Sequence, residues 1–255
     1  MLTSLTQWTN PHNFFMSDLG GDLNKRLIDL FENKKYSEIE FEVESLGDLE
    51  KLSTQILMAY AVAKALNLKS KKKDFERAAY FFEKVFISNK SNLDALYNLI
   101  IVSLKSGVFE YVYPHLIERY KNNNKDEKVL EALHKINFIS GNISESQLYS
   151  SQLIKINPNY PSAWEDHLSS LNYTTNRSQS DYLKFALDFD RLPNINNNSL
   201  LKINKKIKKN RIKIAFLSPD FKTHSVSFFL KDIFLKINKK DFEIFAFSNL
   251  EKSLH

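Results

Sequence analysis

Phe75, Phe109 and Ile143 follow one another at one constant interval of about 34 residues, each opening an amphipathic stretch. A fixed period of that length marks a chain built from stacked helical pairs, because two short helices cannot bury their apolar sides alone and each pair must cover the next. Gly107 and Gly141 keep the same register, just ahead of the periodic hydrophobic residue, where the turn inside a pair is expected. Residues 105–120 (KSGVFEYVYPHLIERY) and 139–159 (ISGNISESQLYSSQLIKINPN) each read as a turn followed by an amphipathic helix, the second closing at Asn157-Pro158. Residues 31–46 (FENKKYSEIEFEVESL) form an earlier copy with Tyr36 at the equivalent position, five places further from Phe75 than the period requires. The extra residues are expected in a longer inter-helix loop at 69–73. The copies have diverged, and the small-residue position of the second helix carries Ala78, Val112 and Ser146. A further helix is predicted over Pro161–Leu171, with Trp164 on its apolar side.

The pattern changes after residue 210. Residues 212–217 are apolar at nearly every position, as expected for a parallel strand covered on both faces, and 242–247 read as a second strand. Between them Val226, Phe229, Leu230, Ile233, Phe234 and Ile237 recur at three- and four-residue spacings, which predicts a helix that returns the chain for parallel pairing. Ligands of open α/β sheets bind beyond the carboxyl ends of the strands, so residues 218–225 occupy the position where chemistry is expected.

Two stretches resemble one known family. SPDFKTHSVSFF (218–229), followed by a helix and FEIFAFSN (242–249), resembles the start of the catalytic region of the O-linked N-acetylglucosamine transferase and SPINDLY-like glycosyltransferases. Residues 168–192, LSSLNYTTNRSQSDYLKFALDFDRL, are similar to the segment that joins repeats to catalytic domain in bacterial members, and a helix over about 179–191 is predicted there. The family also carries tetratricopeptide repeats upstream, in keeping with the period above. The expected fold is therefore an α-helical tetratricopeptide-like repeat array followed by the first β-α-β unit of a Rossmann-like α/β glycosyltransferase lobe. The expected divisions are an N-terminal segment at 1–20, repeats at 21–171, a connecting helix and basic linker at 172–210, and the incomplete lobe at 211–255.

The resemblance implies a protein O-glycosyltransferase that inverts the anomeric carbon without a catalytic metal or cofactor. It moves N-acetylglucosamine from UDP-N-acetylglucosamine to Ser or Thr of acceptor proteins chosen by the repeats. SPINDLY-like relatives use GDP-fucose instead. In this family the nucleotide sugar is gripped mainly by a later α/β lobe, so the donor-site residues are expected beyond His255, and residues 1–255 alone are expected to be inactive. The alternative is a non-catalytic repeat adaptor with a remnant catalytic edge.

Candidate site residues lie in the first strand-to-helix loop. His224 carries an imidazole, suited to proton transfer near neutral pH; the resemblance places it beside the sugar-transfer centre as base or positioning group, and the alternative is a loop histidine that caps the following helix. Asp220 is expected to orient His224 or to cap loop amides, and Ser218 and Ser225 read most simply as turn and N-cap residues. Asn98 occupies the position that forms an asparagine ladder for peptide binding in the resembling family, although Ala132 stands one period on. No glycine follows Gly141, which removes phosphate cradles of the glycine-rich type.

Composition narrows the competing classes. The formal charge is +6, but seven basic residues and no acid lie between Lys202 and Lys213, so the rest of the chain is nearly balanced. That reads as a solvated linker rather than a nucleic-acid surface, which would spread a basic face with interleaved aromatics over a folded element. Residues 193–198, rich in Asn, extend the same linker. No stretch reaches the roughly 18 uninterrupted apolar residues of a membrane span, no secretory signal opens the chain, and cysteine is absent, so the cytoplasm is the expected location. His12, His115, His134, His167 and His255 show no metal-ligand spacing and are expected at the surface or the edge of the core. Glu38, Glu40, Glu42 and Glu44 alternate, but on a helix they spread around the surface and make no paired-carboxylate centre.

Overall fold

Short polar side chains recur at the helix boundaries with the same period as the hydrophobic residues, and they set where each helix begins and ends. In the computed structural model, which describes residues 22–67, 69–174, 178–192 and 211–248, ten α-helices precede the first strand. They are α1 (Asp22–Glu32), α2 (Tyr36–Ser45), α3 (Thr54–Leu66), α4 (Lys72–Ser88), α5 (Leu93–Ser106), α6 (Tyr113–Asn122), α7 (Glu127–Ile139), α8 (Ile143–Ile156), α9 (Pro161–Leu171) and α10 (Gln179–Asp190). A 3₁₀ turn, Leu49–Lys51, separates α2 from α3. The odd-numbered helices are the first members of five pairs.

Asn92 and Asp126, one period apart, are the N-caps of α5 and α7: the Asn92 side chain accepts the Ala95 N–H at 3.0 Å, and Asp126 accepts those of Lys128 and Val129 at 3.2 Å each. Gly107 and Gly141 close the same two helices with φ of +74° and +81°, a left-handed conformation that glycine adopts without a side-chain penalty. The second helices α4, α6 and α8 end at Asn89, Asn123 and Asn157, which keep the same step. The carboxamides of Asn89 and Asn123 each accept the backbone N–H two residues on, at 3.0 and 3.1 Å, which turns the chain into the next pair.

Two boundaries depart from the spacing. The loop between α3 and α4 ends before Lys72, and Lys72 and Lys73 form the first turn of α4 rather than part of an extended loop at 69–73. The Asp74 carboxylate accepts the Lys71 backbone N–H at 2.8 Å and so starts the helix early. In the next pair Phe109 does not open the second helix; α6 starts further along, at Tyr113. Pro114 has no N–H to give to residue 110 and its ring crowds that carbonyl, so regular helix cannot run back through it.

Most consecutive helices pack along the chain, and α1 with α3, α3 with α5, and α5 with α7 also meet, so the first helices form a continuous row. The core runs through the pairs with Leu27, Ile39, Tyr60, Phe82, Leu99, Leu116 and Leu133 all fully buried. The glutamates of α2 serve as ties: Glu40 pairs with Lys64 at 2.5 Å and Glu44 accepts the Tyr60 hydroxyl at 2.5 Å, both on α3. Trp164 donates its indole N–H to the Pro158 carbonyl at 2.8 Å, and its ring meets Phe185 of α10 at 6.0 Å between centroids. Among the described residues no helix is long and apolar enough to cross a membrane.

The described residues fall into two compact units, 22–192 and 211–248. In the second, β1 (Ile212–Ser218) and β2 (Phe242–Ser248) pair in parallel from Ile212 with Phe242 to Ser218 with Ser248, and α11 (Ser225–Lys236) is the crossover. Phe234 of α11 packs on Phe216 of β1 with ring centroids 4.9 Å apart. The expectation of strands covered on both faces is not met among the described residues: Leu217 is 77% exposed and Phe247 54%. One helix shields one face of a two-stranded sheet, and nothing described in this unit shields the other. The Asn-rich stretch 193–198, the lysine run 202–209, the segment 1–20, His12 and His255 lie outside the described residues.

Candidate functional site

The loop between β1 and α11 is ordered by side chains bonded to its own backbone. The Ser218 hydroxyl accepts the Asp220 N–H at 3.0 Å at the carboxyl end of β1. His224 has extended backbone (φ −149°, ψ 153°) and is itself the N-cap of α11: its Nδ1 accepts the Val226 N–H at 3.3 Å. Ser225, read from sequence as the cap, is instead the first helical residue. Asp220 Oδ2 stands 3.8 Å from His224 Nδ1, close enough for attraction to a charged ring and too far for a hydrogen bond. Since Nδ1 accepts, the proton of the neutral imidazole sits on Nε2. In this state the other ring edge, Nε2, carries a hydrogen-bond donor.

Ser227 was not singled out by sequence reasoning, yet it holds the loop together. Its hydroxyl lies within hydrogen-bonding distance of three carbonyls, those of Asp220 and His224 at 3.0 Å each and that of Lys222 closer still. A serine three residues after a helix-capping residue is the signal that would have found it.

Asn98, on α5, is fully buried and sits within the array rather than on its surface. The polar residues that converge in the array lie further along, between α7, α8 and α9. His134 Nδ1 is 2.8 Å from the Ser146 hydroxyl and 3.0 Å from the Ser146 carbonyl, and His167 Nδ1 is 2.7 Å from the Ser150 hydroxyl. Both histidines are inside the core, at 3% and 4% exposure, rather than at its edge, because Ser146 and Ser150, one turn apart on α8, satisfy their rings. Burial lowers the His134 pKa against the opposing pull of the Ser146 carbonyl and Asp166. Burial, with His134 nearby, pushes His167 down to about 4.

Asp166 Oδ2 is 3.7 Å from His134 Nε2 and 3.8 Å from Lys135 Nζ, and burial raises its pKa against the pull of those two groups. Lys135 makes its short ion pair elsewhere, with Glu131 at 2.5 Å. Ser146, His134 and Asp166 are the residue types of a nucleophilic triad, but the serine is fully buried and the histidine–aspartate separation exceeds hydrogen-bond reach. The group is a polar seam in the core. His115 pairs at 3.0 Å with Glu83 of the preceding pair, and no group of three His, Cys, Asp or Glu suited to a metal ion occurs among the described residues.

No protein-family model matches the sequence. No curated protein matches it in sequence. Among solved structures the fold is similar to a point mutant of the O-GlcNAc transferase of Thermobaculum terrenum, with a TM-score of 0.52 and 16% identity over 78% of this chain and 38% of that one. The chain thus spans less than half the length of that neighbour. It is also similar to MamA from Desulfovibrio magneticus RS-1, with a TM-score of 0.52 and 14% identity over 74% of this chain and 97% of that one. At these identities the likeness establishes a mostly helical, tetratricopeptide-type repeat fold.

Proposed function

We propose that this chain is the N-terminal part of a protein O-glycosyltransferase that moves N-acetylglucosamine from UDP-N-acetylglucosamine to Ser or Thr hydroxyls, with the helical repeats binding the acceptor protein. The observation that carries this reading is the placement of Asp220 and His224, within the segment SPDFKTHSVSFF, at the carboxyl end of β1 in a parallel β-α-β unit that follows a repeat array. Repeats of this type generally engage proteins, which suits acceptor selection, and the fold likeness to an O-GlcNAc transferase supports the repeat part of this reading.

Within this reading His224 positions rather than abstracts. Its Nδ1 is taken by the Val226 amide, so Nε2–H is presented as a donor to an oxygen of the acceptor or of the departing diphosphate. The Asp220 carboxylate lies 3.8 Å from the ring, beyond hydrogen-bond reach, and adds negative charge at the same end of β1.

The test is expression of the gene's full reading frame and measurement of radiolabelled sugar transfer to protein from UDP-N-acetylglucosamine, with GDP-fucose in a parallel arm. Incorporation from the first donor is expected; incorporation from GDP-fucose alone would make it the SPINDLY-like activity. No incorporation from either donor would overturn the catalytic reading. A second reading, a repeat adaptor without catalysis, is favoured by the likeness to MamA, which covers nearly the whole of that chain. It predicts partner binding that is unaffected by His224→Ala.

A further inference from the structure

A cavity of about 440 Å³ opens where the first helices of three successive pairs come to an end. Leu104 lies in the last turn of α5, Phe138 and Ile139 end α7, and Tyr173 lies two residues past the end of α9. These four supply apolar and aromatic walls, and Phe138 and Tyr173 stand edge to face with ring centroids 5.3 Å apart. The polar part of the lining is made by Asp166, His134 and Lys135, with Ser169 and Asn172 as neutral polar neighbours. The size suits one large side chain or a small ligand.

The electrostatics of the cavity favour a cation. Lys135 is not a free positive charge, because its ammonium is held 2.5 Å from the buried Glu131 carboxylate. Asp166 is more accessible, with its side chain 25% exposed, and among the described residues its ammonium neighbour, Lys135 Nζ, is 3.8 Å away, beyond hydrogen-bond range. His134 is 3% exposed and lines the cavity, and among the described residues its Nε2 finds Asp166 Oδ2 at 3.7 Å as its ion-pair neighbour. Helix C-termini carry partial negative charge that acts over the last turn, and three of them surround this space. Aromatic rings on the wall add attraction for a cation lying against a face.

We propose that this cavity is a subsite for the side chain of an arginine or lysine in a bound protein segment, the aliphatic stem lying against Leu104, Phe138, Ile139 and Tyr173 and the cationic head meeting the Asp166 carboxylate. A guanidinium or ammonium on an apolar stem matches both halves of the lining, whereas an acidic side chain would face Asp166 and the three helix ends. This deepens the acceptor-binding half of the proposed function and holds equally for an adaptor. The test uses no sugar donor, so its failure is separate from a failure of the transferase reading.

The full 255-residue chain is titrated, at low and at moderate salt, into a fluorescein-labelled peptide GSALRLASG and into the same peptide with citrulline in place of arginine. Fluorescence anisotropy reports binding. Citrulline keeps the shape and removes the charge. The arginine peptide is expected to bind about ten-fold or more tightly than the citrulline peptide, the loss expected for one charge-assisted hydrogen bond, with the difference shrinking as salt rises. Asp166→Asn is expected to bring the two peptides to equal affinity. Asp188→Asn, on the exposed surface of α10, is expected to leave the difference intact. Near-UV circular dichroism and the thermal midpoint of Asp166→Asn show whether its fold is kept; if they change, Ser169→Arg, which places a cation beside the cavity, is used to the same end. Equal binding of both peptides to the unmodified chain, or no binding of either, would overturn the proposal. Saturable binding of spermidine without peptide binding would also overturn it, in favour of a free-amine site.

Discussion

At the scale of single residues, different substitutions separate the cap made by His224 from the role proposed for its ring. As N-cap it accepts the Val226 amide, and in the proposed function Nε2 serves as a donor. His224→Asn keeps a good cap and removes the imidazole, whereas His224→Ala removes both. In the full reading frame both are expected to lower transfer by at least about ten-fold, the size of a typical positioned proton or hydrogen-bond contribution. His224→Ala alone is expected to destabilise α11 further, by about 1 kcal/mol. Hydrogen exchange at the Val226 and Ser227 amides reads the cap, and sugar incorporation reads the ring. Near-normal transfer by the Asn variant would remove the imidazole from the chemistry.

The buried histidines make a second residue-scale prediction, on pH. His134 and His167 are folded in their neutral form with lowered pKa, His167 near 4, against about 6.5 in the unfolded chain. Between these values the unfolded chain binds protons that the folded chain excludes. Stability is therefore complete above about pH 6.5 and declines as pH falls toward 4, by at most about 3 kcal/mol for His167. Asp166, with a raised pKa, acts in the opposite sense just above the ordinary carboxylate range and makes the decline shallower. Urea midpoints at pH 7.5, 6 and 5 are expected to fall in that order, and His167→Gln is expected to flatten the trend. An unchanged slope in that variant would assign the acid sensitivity to other groups.

At the scale of elements, the repeat period was legible in Phe75, Phe109 and Ile143, and it brought α7, α8 and the turn at Gly141 with it. The same period exists in Asn92 and Asp126 and in Asn89, Asn123 and Asn157, polar positions that a search for hydrophobic recurrence passes over. Where local chemistry opposed the period, local chemistry won: Pro114 delayed α6, and Asp74 started α4 early. The glycines obey backbone rather than packing constraints, since no atom lies within 4 Å of where a Cβ would stand on Gly107 or Gly141. Gly107→Ala and Gly141→Ala are each expected to cost about 1 kcal/mol through the left-handed backbone alone, and the Asn variants less. Thermal unfolding of the four variants checks this order; an Ala variant as stable as the parent would mean the turn relaxes to a negative φ.

At the scale of the whole molecule, the repeat unit has one contiguous core in which each pair is covered by its neighbours. Leu133, fully buried on α7, is expected to cost about 2–5 kcal/mol on replacement by alanine, in the range for a core leucine that leaves a cavity. Because each pair is stabilised by the one it stacks on, the loss is expected to appear across the adjacent pairs in hydrogen exchange. Protection lost in α7 alone would show that the pairs are weakly coupled. The second unit behaves differently, with large apolar side chains such as Phe228, Phe229 and Leu235 still exposed among the described residues.

The sequence by itself determined the alternation of paired helices, the positions of most turns and the parallel β-α-β pattern, because these follow from spacings of a few residues and from a period that repeats. Tertiary structure alone decided the rest. His134 with Ser146, His167 with Ser150, and the cavity where α5, α7 and α9 end join residues well separated along the chain, and only the stacking of helices brings them together. His224 shows the same division on a small scale. Its loop was readable from sequence, but that Nδ1 takes the Val226 N–H, leaving Nε2 as the other ring edge, was seen only in the folded loop.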